Sequence, residues 1–283
     1  MTERESSKTA LGTTLLRAVH QLIDATPKIL DDPIALELID PAILDEIRTN
    51  PTRFQTPLGN ALRSHVVIRS RYAEDRLARA VQRGIVQYLS LGAGYDTFPY
   101  RQPAWAGTLR IFEVDQSPTQ QEKRAKLHAA GIPIPPNVEF VPVDFEVTSL
   151  SDGLRASSFD FSQPTFISWL GVMVYLSQAA AAAVFRFAVL LPHSSEIVFT
   201  FSTPRTREQQ TNQFYPSLAD RVIQLGEPFK NYIAPDDLIQ RLFALGFVDV
   251  TIPTPAELHA SYIDNRQDGL CVVQRQTIAS AMV

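Results

Sequence analysis

Two glycines separated by one residue end an apolar run in the stretch YLSLGAGYDTFPYR. Gly92, Ala93 and Gly94 favour a tight turn, because glycine has no Cβ and lets a ligand approach the peptide N–H groups closely. The next apolar run closes on Glu113 and Asp115, about 20 residues further on. An acid at that place can accept both hydroxyls of a ribose. The spacing therefore predicts a ligand that contains adenosine.

Two classes of enzyme use such a corner, and they differ at the third glycine. A dinucleotide fingerprint reads Gly-x-Gly-x-x-Gly/Ala and places a pyrophosphate on the following helix. Here the sixth position is Thr97, and Asp96 stands where a pyrophosphate would bring more negative charge. An acid suits S-adenosylmethionine better, since that cofactor carries a sulfonium and an ammonium group. A glycine turn can also serve packing alone.

A third acid follows the run VEFVPV. Asp144 and Phe145 lie where ligands of doubly wound sheets bind, at the carboxyl end of a strand. The carboxylate could accept a hydrogen bond from an adenine amino group while the ring covers the base. An aspartate there also serves as a helix N-cap, so this alternative stays open.

The elements that must position these residues follow from the apolar pattern. Residues 11–83 carry helical spacing, and seven short apolar runs then alternate with helical stretches: IVQYLSL, TLRIFEV, VEFVPV, TFISWL, EIVFTF, FVDVTI and GLCVVQ. This alternation predicts a mostly parallel, doubly wound sheet. The last two runs lie close together, which predicts an antiparallel last strand. We therefore expect a helical lid over residues 1–83 and a ligand-binding core over residues 84–283.

Composition limits the partners. The chain has 283 residues, 45% of them hydrophobic, and its 30 acidic residues outnumber its 26 basic ones, which disfavours nucleic acid. The polar start and the absence of a long apolar stretch predict no signal peptide and no membrane span, with the cytoplasm as the expected location. The single cysteine, Cys271, is expected to be a buried structural thiol in the last strand.

The ordered motifs resemble a known family. RSRYAEDRLARAVQRGIVQYLSLGAGYDTFPYR, IFEVDQSPTQQEKRAKL, VEFVPVDF and FISWLGVMVYLS are similar to class I S-adenosylmethionine-dependent methyltransferases of the leucine carboxyl methyltransferase type, which include polyketide O-methyltransferases. The resemblance runs from about Leu16 to the C-terminus and implies a Rossmann-like methyltransferase fold.

The same resemblance assigns roles to single residues. It gives Arg69 the methionine carboxylate of the cofactor, a task that suits the two parallel donors of a guanidinium. Without the resemblance, a surface salt bridge would be the expectation for Arg69. The glycine loop, the acids after the second strand and the Asp144–Phe145 pair match the family's cofactor loop, ribose site and adenine pocket.

One position departs from the family pattern. Many relatives carry Glu-Gly after the fourth strand, whereas this chain has Leu170 and Gly171. The acid that could hold the cofactor's ammonium group is missing at Leu170. That role must pass to a backbone carbonyl, to Asp96 or to another group.

Acceptor contacts are expected from segments around the cofactor core. An insertion over residues 202–235 brings aromatic residues that could form an apolar pocket or anchor the insertion. The candidate contacts are Tyr95, Tyr100, Arg101, Tyr175, Phe214 and Tyr215.

The predicted function is methyl transfer from S-adenosylmethionine to a carboxylate or hydroxyl oxygen of a small molecule. The five histidines show no catalytic or metal-ligand spacing, and the reaction needs no metal. The alternatives are an NAD(P)-dependent reductase, weakened by the lack of a Tyr-x-x-x-Lys pair, and a non-catalytic S-adenosylmethionine-binding protein. A homodimer is compatible with the sequence, which specifies no surface for it.

Overall fold

A computed structural model describes residues 8–204, 230–273 and 276–283 of the chain. Its centre is a seven-stranded sheet of order β3-β2-β1-β4-β5-β7-β6. The strands are β1 Gln87–Leu91, β2 Arg110–Asp115, β3 Val138–Pro142, β4 Thr165–Trp169, β5 Glu196–Ser202, β6 Asp249–Thr251 and β7 Gln276–Met282. The first five strands are parallel to one another, and β7 is antiparallel to both of its neighbours. The predicted doubly wound sheet with an antiparallel last strand is confirmed.

The order of the strands reverses at β1, which pairs in parallel with β2 on one side and with β4 on the other. All five residues of β1 are buried, as a central parallel strand requires. Ligands of open α/β sheets bind in the crevice beyond the carboxyl ends of the strands at such a reversal. The fold therefore places a binding crevice between the segments that follow β1 and β4.

Helices cover both faces of the sheet. They are α1 Lys8–Ile23, α2 Ile34–Glu37, α3 Pro41–Thr49, α4 Pro57–Gln82, α5 Ser117–Ala129, α6 Leu150–Arg155, α7 Gln178–Val189, α8 Pro235–Leu245 and α9 Pro255–Tyr262. One face packs on α4 and α9, for example through Leu77 and Leu258. The other packs on α6, α7 and α8, for example through Leu154, Val184 and Leu242. None of the helices in the described ranges is long and apolar enough to cross a membrane.

Helix α4 begins at a cap that the sequence encodes. The Oγ1 of Thr56 accepts a hydrogen bond from the Gly59 N–H at 3.1 Å, and Pro57 occupies the first helical position, where its missing N–H costs nothing. The helix then runs for 26 residues and packs on the sheet through buried side chains that include Val67, Ala73 and Leu77. Helix α4 therefore forms part of the layer on the sheet, whereas α1–α3 precede that layer in the chain.

A buried ion pair joins α1 to α4. Arg63 donates through Nε and Nη2 to the two carboxylate oxygens of Asp24, at 2.6 and 2.8 Å, and neither side chain is exposed by more than 1%. Nδ1 of His20 lies 2.7 Å from the same carboxylate. A paired carboxylate at this depth fixes the end of α1 against α4, since removing either charge would leave the other without its ion-pair partner.

Three arginines follow one another at seven-residue spacing, Arg69 and Arg76 within α4 and Arg83 directly after its last residue. Arg76 and Arg83 each donate to one oxygen of the buried Glu196 carboxylate at the start of β5, both at 2.5 Å. Arg69 lies two turns before Arg76, towards the carboxyl edge of the sheet. Arg69 therefore reaches the crevice with a charge that no carboxylate of the described residues pairs with.

The last strand lies further along the chain than predicted. The run GLCVVQ was expected to form it, but residues 269–273 are irregular and β7 begins at Gln276. The Cys271 N–H donates to the Oγ of Ser64 on α4 at 2.9 Å, so this segment bonds to a helix and not to a strand. Cys271 is also exposed, which contradicts the expectation of a buried thiol.

The Asp24–Arg63 pair yields a stability prediction. Asp24→Ala should lower the free energy of unfolding by about 3–5 kcal/mol, because a buried guanidinium loses its partner. Asp45→Ala serves as the matched control, since Asp45 pairs with Arg48 on the surface, and it should change stability by less than about 0.5 kcal/mol. Urea denaturation of both variants measures the difference. Equal losses would show that the buried pair does not hold the two helices together.

Candidate active site

The turn after β1 is tight at both glycines. Gly92 has φ +64° and Gly94 has φ +47°, a backbone region that favours glycine. A Cβ built on Gly92 would lie 2.3 Å from Cγ2 of Val172, and one on Gly94 would lie 3.1 Å from Cβ of Ala10 in α1. At Gly92 a side chain would collide with the turn after β4, and at Gly94 it would be tight against α1.

The N–H groups of this turn are already used within the protein. Gly92 and Ala93 donate to the carbonyl of Val114 at 2.7 and 3.1 Å, and Gly94 donates to Oδ2 of Asp115 at 2.6 Å. A pyrophosphate needs free amides at such a corner. The turn offers none at these three positions, which argues against a dinucleotide.

The two acids of β2 have different surroundings. Glu113 is fully buried, and its carboxylate accepts hydrogen bonds from Lys123 Nζ at 2.6 Å and from the Tyr100 hydroxyl at 2.9 Å. Burial raises the pKa of Glu113, and the ammonium of Lys123 opposes that rise. Through Lys123, Glu113 holds α5 to the sheet, and its role as a ribose ligand stays a prediction.

Asp115 lies at the edge of the sheet and is only partly buried. Its two oxygens accept the N–H groups of Gly94 and Gln116 at 2.6 and 2.7 Å. Burial raises the pKa of Asp115, and these two backbone donors lower it. Each carboxylate oxygen can accept a further hydrogen bond, which leaves Asp115 able to bind a ligand.

A cleft of about 310 Å³ opens between the ends of β2 and β3. It is lined by Gln116, Ser117, Pro118, Pro142, Val143 and Asp144. Asp144 is partly buried and its Oδ1 accepts the Glu146 N–H at 3.1 Å, so it also caps the following turn. Phe145 packs partly against the main core. Of the predicted adenine pair, Asp144 lines this cleft, which lies beside the carboxyl ends of β2 and β3.

Opposite charges without ion-pair partners occur in this part of the molecule. Asp96 is partly buried, its Oδ1 accepts the Phe98 N–H at 3.2 Å, and within the described ranges no basic group pairs with it. Nη1 of Arg69 lies 3.4 Å from Nε2 of His65, and no acid in the described part of the chain forms an ion pair with this arginine. Burial and the charge of Arg17 lower the pKa of Arg69 to about 10, whereas Tyr175 raises it, so the guanidinium is charged at pH 7. One anionic and one cationic side chain are thus available to a ligand.

The turn after β4 joins these parts. Leu170 packs against the core on the α4 side, and Gly171, with φ +73°, donates its N–H to Oγ1 of Thr200 in β5 at 2.7 Å. Val172 then lies against Gly92. No acid replaces the missing one within this turn.

The acceptor candidates separate into two groups. Tyr95 is 3% exposed and packs with Leu38 and Leu127, and burial raises its pKa, so it belongs to the core. The Tyr100 hydroxyl is used by Glu113. Both tyrosines therefore have a role within the fold, and neither is proposed as an acceptor contact.

The other candidate acceptor contacts are Arg101, Tyr175, Phe214 and Tyr215. Arg101 donates through Nη1 to Oε2 of Glu74 in α4 at 3.0 Å. Its Nε lies 3.4 Å from Oδ1 of Asp32, which precedes α2. Arg101 thus joins the segment before α2 to α4. Tyr175 is partly buried close to Arg69. Phe214 and Tyr215 lie outside the described residues.

Three residues of the site region were not predicted from the sequence. Lys123 neutralises Glu113, and His65 and Gly171 contact Arg69. The seven-residue spacing of arginines in α4 was visible in the sequence, but only the fold shows which arginine lacks an acid. Among the described residues, no group of three or more histidine, cysteine or acidic side chains is arranged to hold a metal.

The sheet is doubly wound, and the turn after β1 has no free amides for phosphate at its three glycine-corner positions. The next strand ends in a partly exposed acid. These features fit the class of S-adenosylmethionine-dependent methyltransferases. The family model for leucine carboxyl methyltransferase matches residues 10–189. The chain belongs to this family, and its cofactor is S-adenosyl-L-methionine. The NAD(P)-dependent reductase alternative is not favoured.

Similar proteins support the same class. "Putative S-adenosyl-L-methionine-dependent methyltransferase YktD" of Bacillus subtilis is 30% identical over 293 aligned positions, which cover 95% of each chain. A protein of Mycobacterium avium with the same general name is 25% identical and covers 92% of this chain and 89% of its own. The crystal structure of a DUF574 family protein from Streptomyces avermitilis has a TM-score of 0.57 at 18% identity, covering 95% of this chain and 96% of its own. That structure supports the fold alone.

The buried pair at Glu113 gives a pH-dependent prediction. Lys123→Met should lower the free energy of unfolding by about 3–5 kcal/mol at pH 8, because the Glu113 carboxylate loses its cation. Without Lys123, the pKa of Glu113 in the folded state rises further above its ordinary value near 4.5, so the folded state binds a proton more tightly than the unfolded state. Stability must then fall as pH increases above about 4.5, and the loss should shrink when pH is lowered towards 5.

Urea denaturation at pH 5 and pH 8 measures this loss for the Lys123→Met variant. The control is the double variant Glu113→Gln/Lys123→Met, which buries no charge at this place. At pH 8 the double variant should lose less free energy of unfolding than the single variant Lys123→Met does. A loss for Lys123→Met that is the same at both pH values would contradict a buried ion pair.

Proposed function

We propose that this methyltransferase transfers the methyl group to an oxygen of a small molecule, with a carboxylate as the first candidate. The observation that carries the cofactor-binding part is the uncompensated Arg69 guanidinium beside the sheet's reversal point. The family's description names a carboxyl group as the acceptor, which supports an oxygen as the atom methylated.

The residues at the crevice fit the separate parts of the cofactor. Arg69 would bind the methionine carboxylate through two donors, and Asp115 would accept the ribose hydroxyls. Asp144 would accept from the adenine amino group, and Phe145 would lie against the base. Gly92, Ala93 and Gly94 would shape the floor beneath the cofactor.

Asp96 is our candidate for the ammonium group, because Leu170 cannot accept a hydrogen bond. The Asp96 carboxylate has lone pairs beyond the one that accepts the Phe98 N–H. A carboxylate near the crevice also favours a ligand that carries positive charge. A backbone carbonyl remains the alternative acceptor for the same group.

Bound S-adenosylmethionine supplies a methyl group activated by its sulfonium. The task of the protein is then to align the acceptor and to exclude water. An acceptor carboxylate is already ionised at pH 7 and needs no general base. His65 is poorly suited as a base, because burial and the Arg69 charge hold its pKa well below the ordinary value.

We also propose that α1–α3 form the lid over the crevice. Ala10 lies against Gly94, and Nη2 of Arg17 donates to the Tyr95 carbonyl at 2.6 Å. Nε of the same arginine donates to Asp32 at 2.8 Å. These contacts hold the lid directly on the cofactor turn, so that the lid can limit the entry of water.

The proposed function is tested first by calorimetric titration and then by turnover. S-adenosylmethionine and S-adenosylhomocysteine should each bind at one site, whereas NADH and NADPH should not bind. A panel of carboxylic acids and phenols is then incubated with methyl-labelled cofactor, each beside its own methyl ester or ether as an inert control. Label should enter free acids and not their esters.

Each other result has a definite meaning. Labelling of phenols alone would replace the carboxylate by a hydroxyl. Binding of the cofactor without turnover on any acceptor would favour a binding-only protein, and binding of NADH would contradict the assignment of the crevice.

Arg69→Ala tests the carboxylate role. The variant should bind S-adenosylhomocysteine about 10- to 100-fold more weakly, because charge-assisted hydrogen bonds contribute about 1.5–3 kcal/mol. Arg71→Ala is the matched control, since Arg71 lies on the same helix, is exposed and pairs with Asp75. Calorimetry on both variants decides, and an Arg69→Ala affinity equal to that of the parent protein would exclude this role.

A further inference from the structure

Arg69 needs something other than an acid to hold its direction. An arginine side chain has several rotatable bonds and loses their freedom when it is fixed. In most proteins a carboxylate fixes a partly buried guanidinium, but none pairs with Arg69 among the described residues. Gly171 and His65 contact the guanidinium instead, and Tyr175 lies close enough to raise the pKa of Arg69.

Gly171 packs directly against the Arg69 guanidinium. A Cβ built on Gly171 would lie 2.7 and 2.8 Å from the two terminal nitrogens of Arg69 and 3.0 Å from its Cζ. Real Cβ atoms do not approach so closely, so any other residue at this position would displace the guanidinium or the turn. The position of Gly171 is fixed, because its N–H donates to Oγ1 of Thr200 and the next residue, Val172, lies against Gly92.

His65 lies one helical turn before Arg69 on α4, and its Nε2 is 3.4 Å from Nη1 of Arg69. The ring is buried, and burial together with the Arg69 charge lowers the pKa of His65 well below its ordinary value. A neutral ring can accept a hydrogen bond through Nε2. It thus restrains Arg69 without neutralising it, whereas an aspartate or glutamate would compete with an anionic ligand.

We propose that His65 and Gly171 are positioning residues that hold the Arg69 guanidinium, with its charge uncompensated, for the carboxylate of the methyl donor. This inference rests on the proposed function, because it assumes that Arg69 binds that carboxylate. It assigns a role to a histidine whose spacing in the sequence indicates no catalytic or metal-binding function.

The test compares two ligands that differ in the amino-acid part. S-adenosylhomocysteine carries the carboxylate, whereas 5′-methylthioadenosine keeps the adenosine and the sulfur but lacks it. In the parent protein, the affinity ratio of the two ligands measures what the amino-acid part contributes. A change that only loosens the fold would weaken both ligands, but a change that misdirects Arg69 should weaken S-adenosylhomocysteine alone.

The variants are His65→Leu, His65→Gln and Gly171→Ala, each measured by calorimetry. His65→Leu should reduce the affinity ratio about three- to tenfold, the range expected for one hydrogen bond. His65→Gln keeps an acceptor at a similar distance from the helix and should restore part of the ratio. Gly171→Ala should reduce the ratio at least as much, since the methyl group occupies the place of the guanidinium.

A double-mutant cycle shows whether His65 acts through Arg69. In the Arg69→Ala background, His65→Leu should leave the affinity ratio unchanged. A ratio that falls by the same factor in both backgrounds would overturn the proposal, as would a parent-like ratio in His65→Leu. If Gly171→Ala does not fold, because φ +73° strains an alanine, the histidine variants still decide.

The proposed function fails in a different way. If the parent binds neither ligand, or if Arg69→Ala leaves the ratio unchanged, Arg69 does not bind the carboxylate and the positioning role falls with it. If Arg69→Ala removes the ratio but His65→Leu does not, the proposed function stands and only this inference is wrong.

Discussion

The site depends on one charge at the carboxyl edge of the sheet that none of the described acids pairs with. Helix α4 brings Arg69, Arg76 and Arg83 towards β4 and β5, and the last two share the buried Glu196 carboxylate. Those two ion pairs hold the helix on the sheet at the amino end of β5. The position of Arg69 then follows from the helix geometry, because side chains seven residues apart lie on the same side two turns apart. The structure thus uses paired charges to fix one unpaired charge at the crevice.

The reversal of strand order brings the other parts of the crevice together. The turns after β1 and β4 become neighbours because β1 pairs with β4, and Val172 packs so closely on Gly92 that no other residue fits there. The amides of the β1 turn donate hydrogen bonds to Val114 and Asp115, which fixes the turn against the end of β2. A rigid corner made in this way positions the side chains of neighbouring strands without using its own amides on a ligand.

The sequence allowed the sheet and the cofactor class to be predicted, because parallel strands have continuous apolar runs and the glycine corner has a strong local signal. It did not distinguish Glu113 from Asp115, since both end the same strand. Their surroundings differ only in three dimensions, where Lys123 from α5 forms an ion pair with Glu113. The last strand was misplaced because GLCVVQ is as apolar as a strand, whereas its Cys271 N–H is taken by Ser64 in α4. Tertiary hydrogen bonds outweighed local propensity there.

Charge balance explains why an acid can be absent at Leu170. Around the crevice, Asp96 and Asp115 present carboxylates, and Asp144 adds a third at the end of β3. Arg69 is the cation that faces this region from α4. A dinucleotide would add the negative charge of a pyrophosphate to these acids, whereas S-adenosylmethionine has a net positive charge at pH 7, because its sulfonium and ammonium groups outweigh its carboxylate. The relatives' extra acid is therefore not needed to make the crevice attractive to that cofactor. In the proposed arrangement the ammonium group is held from the β1 turn, where Asp96 is the described side chain of suitable chemistry.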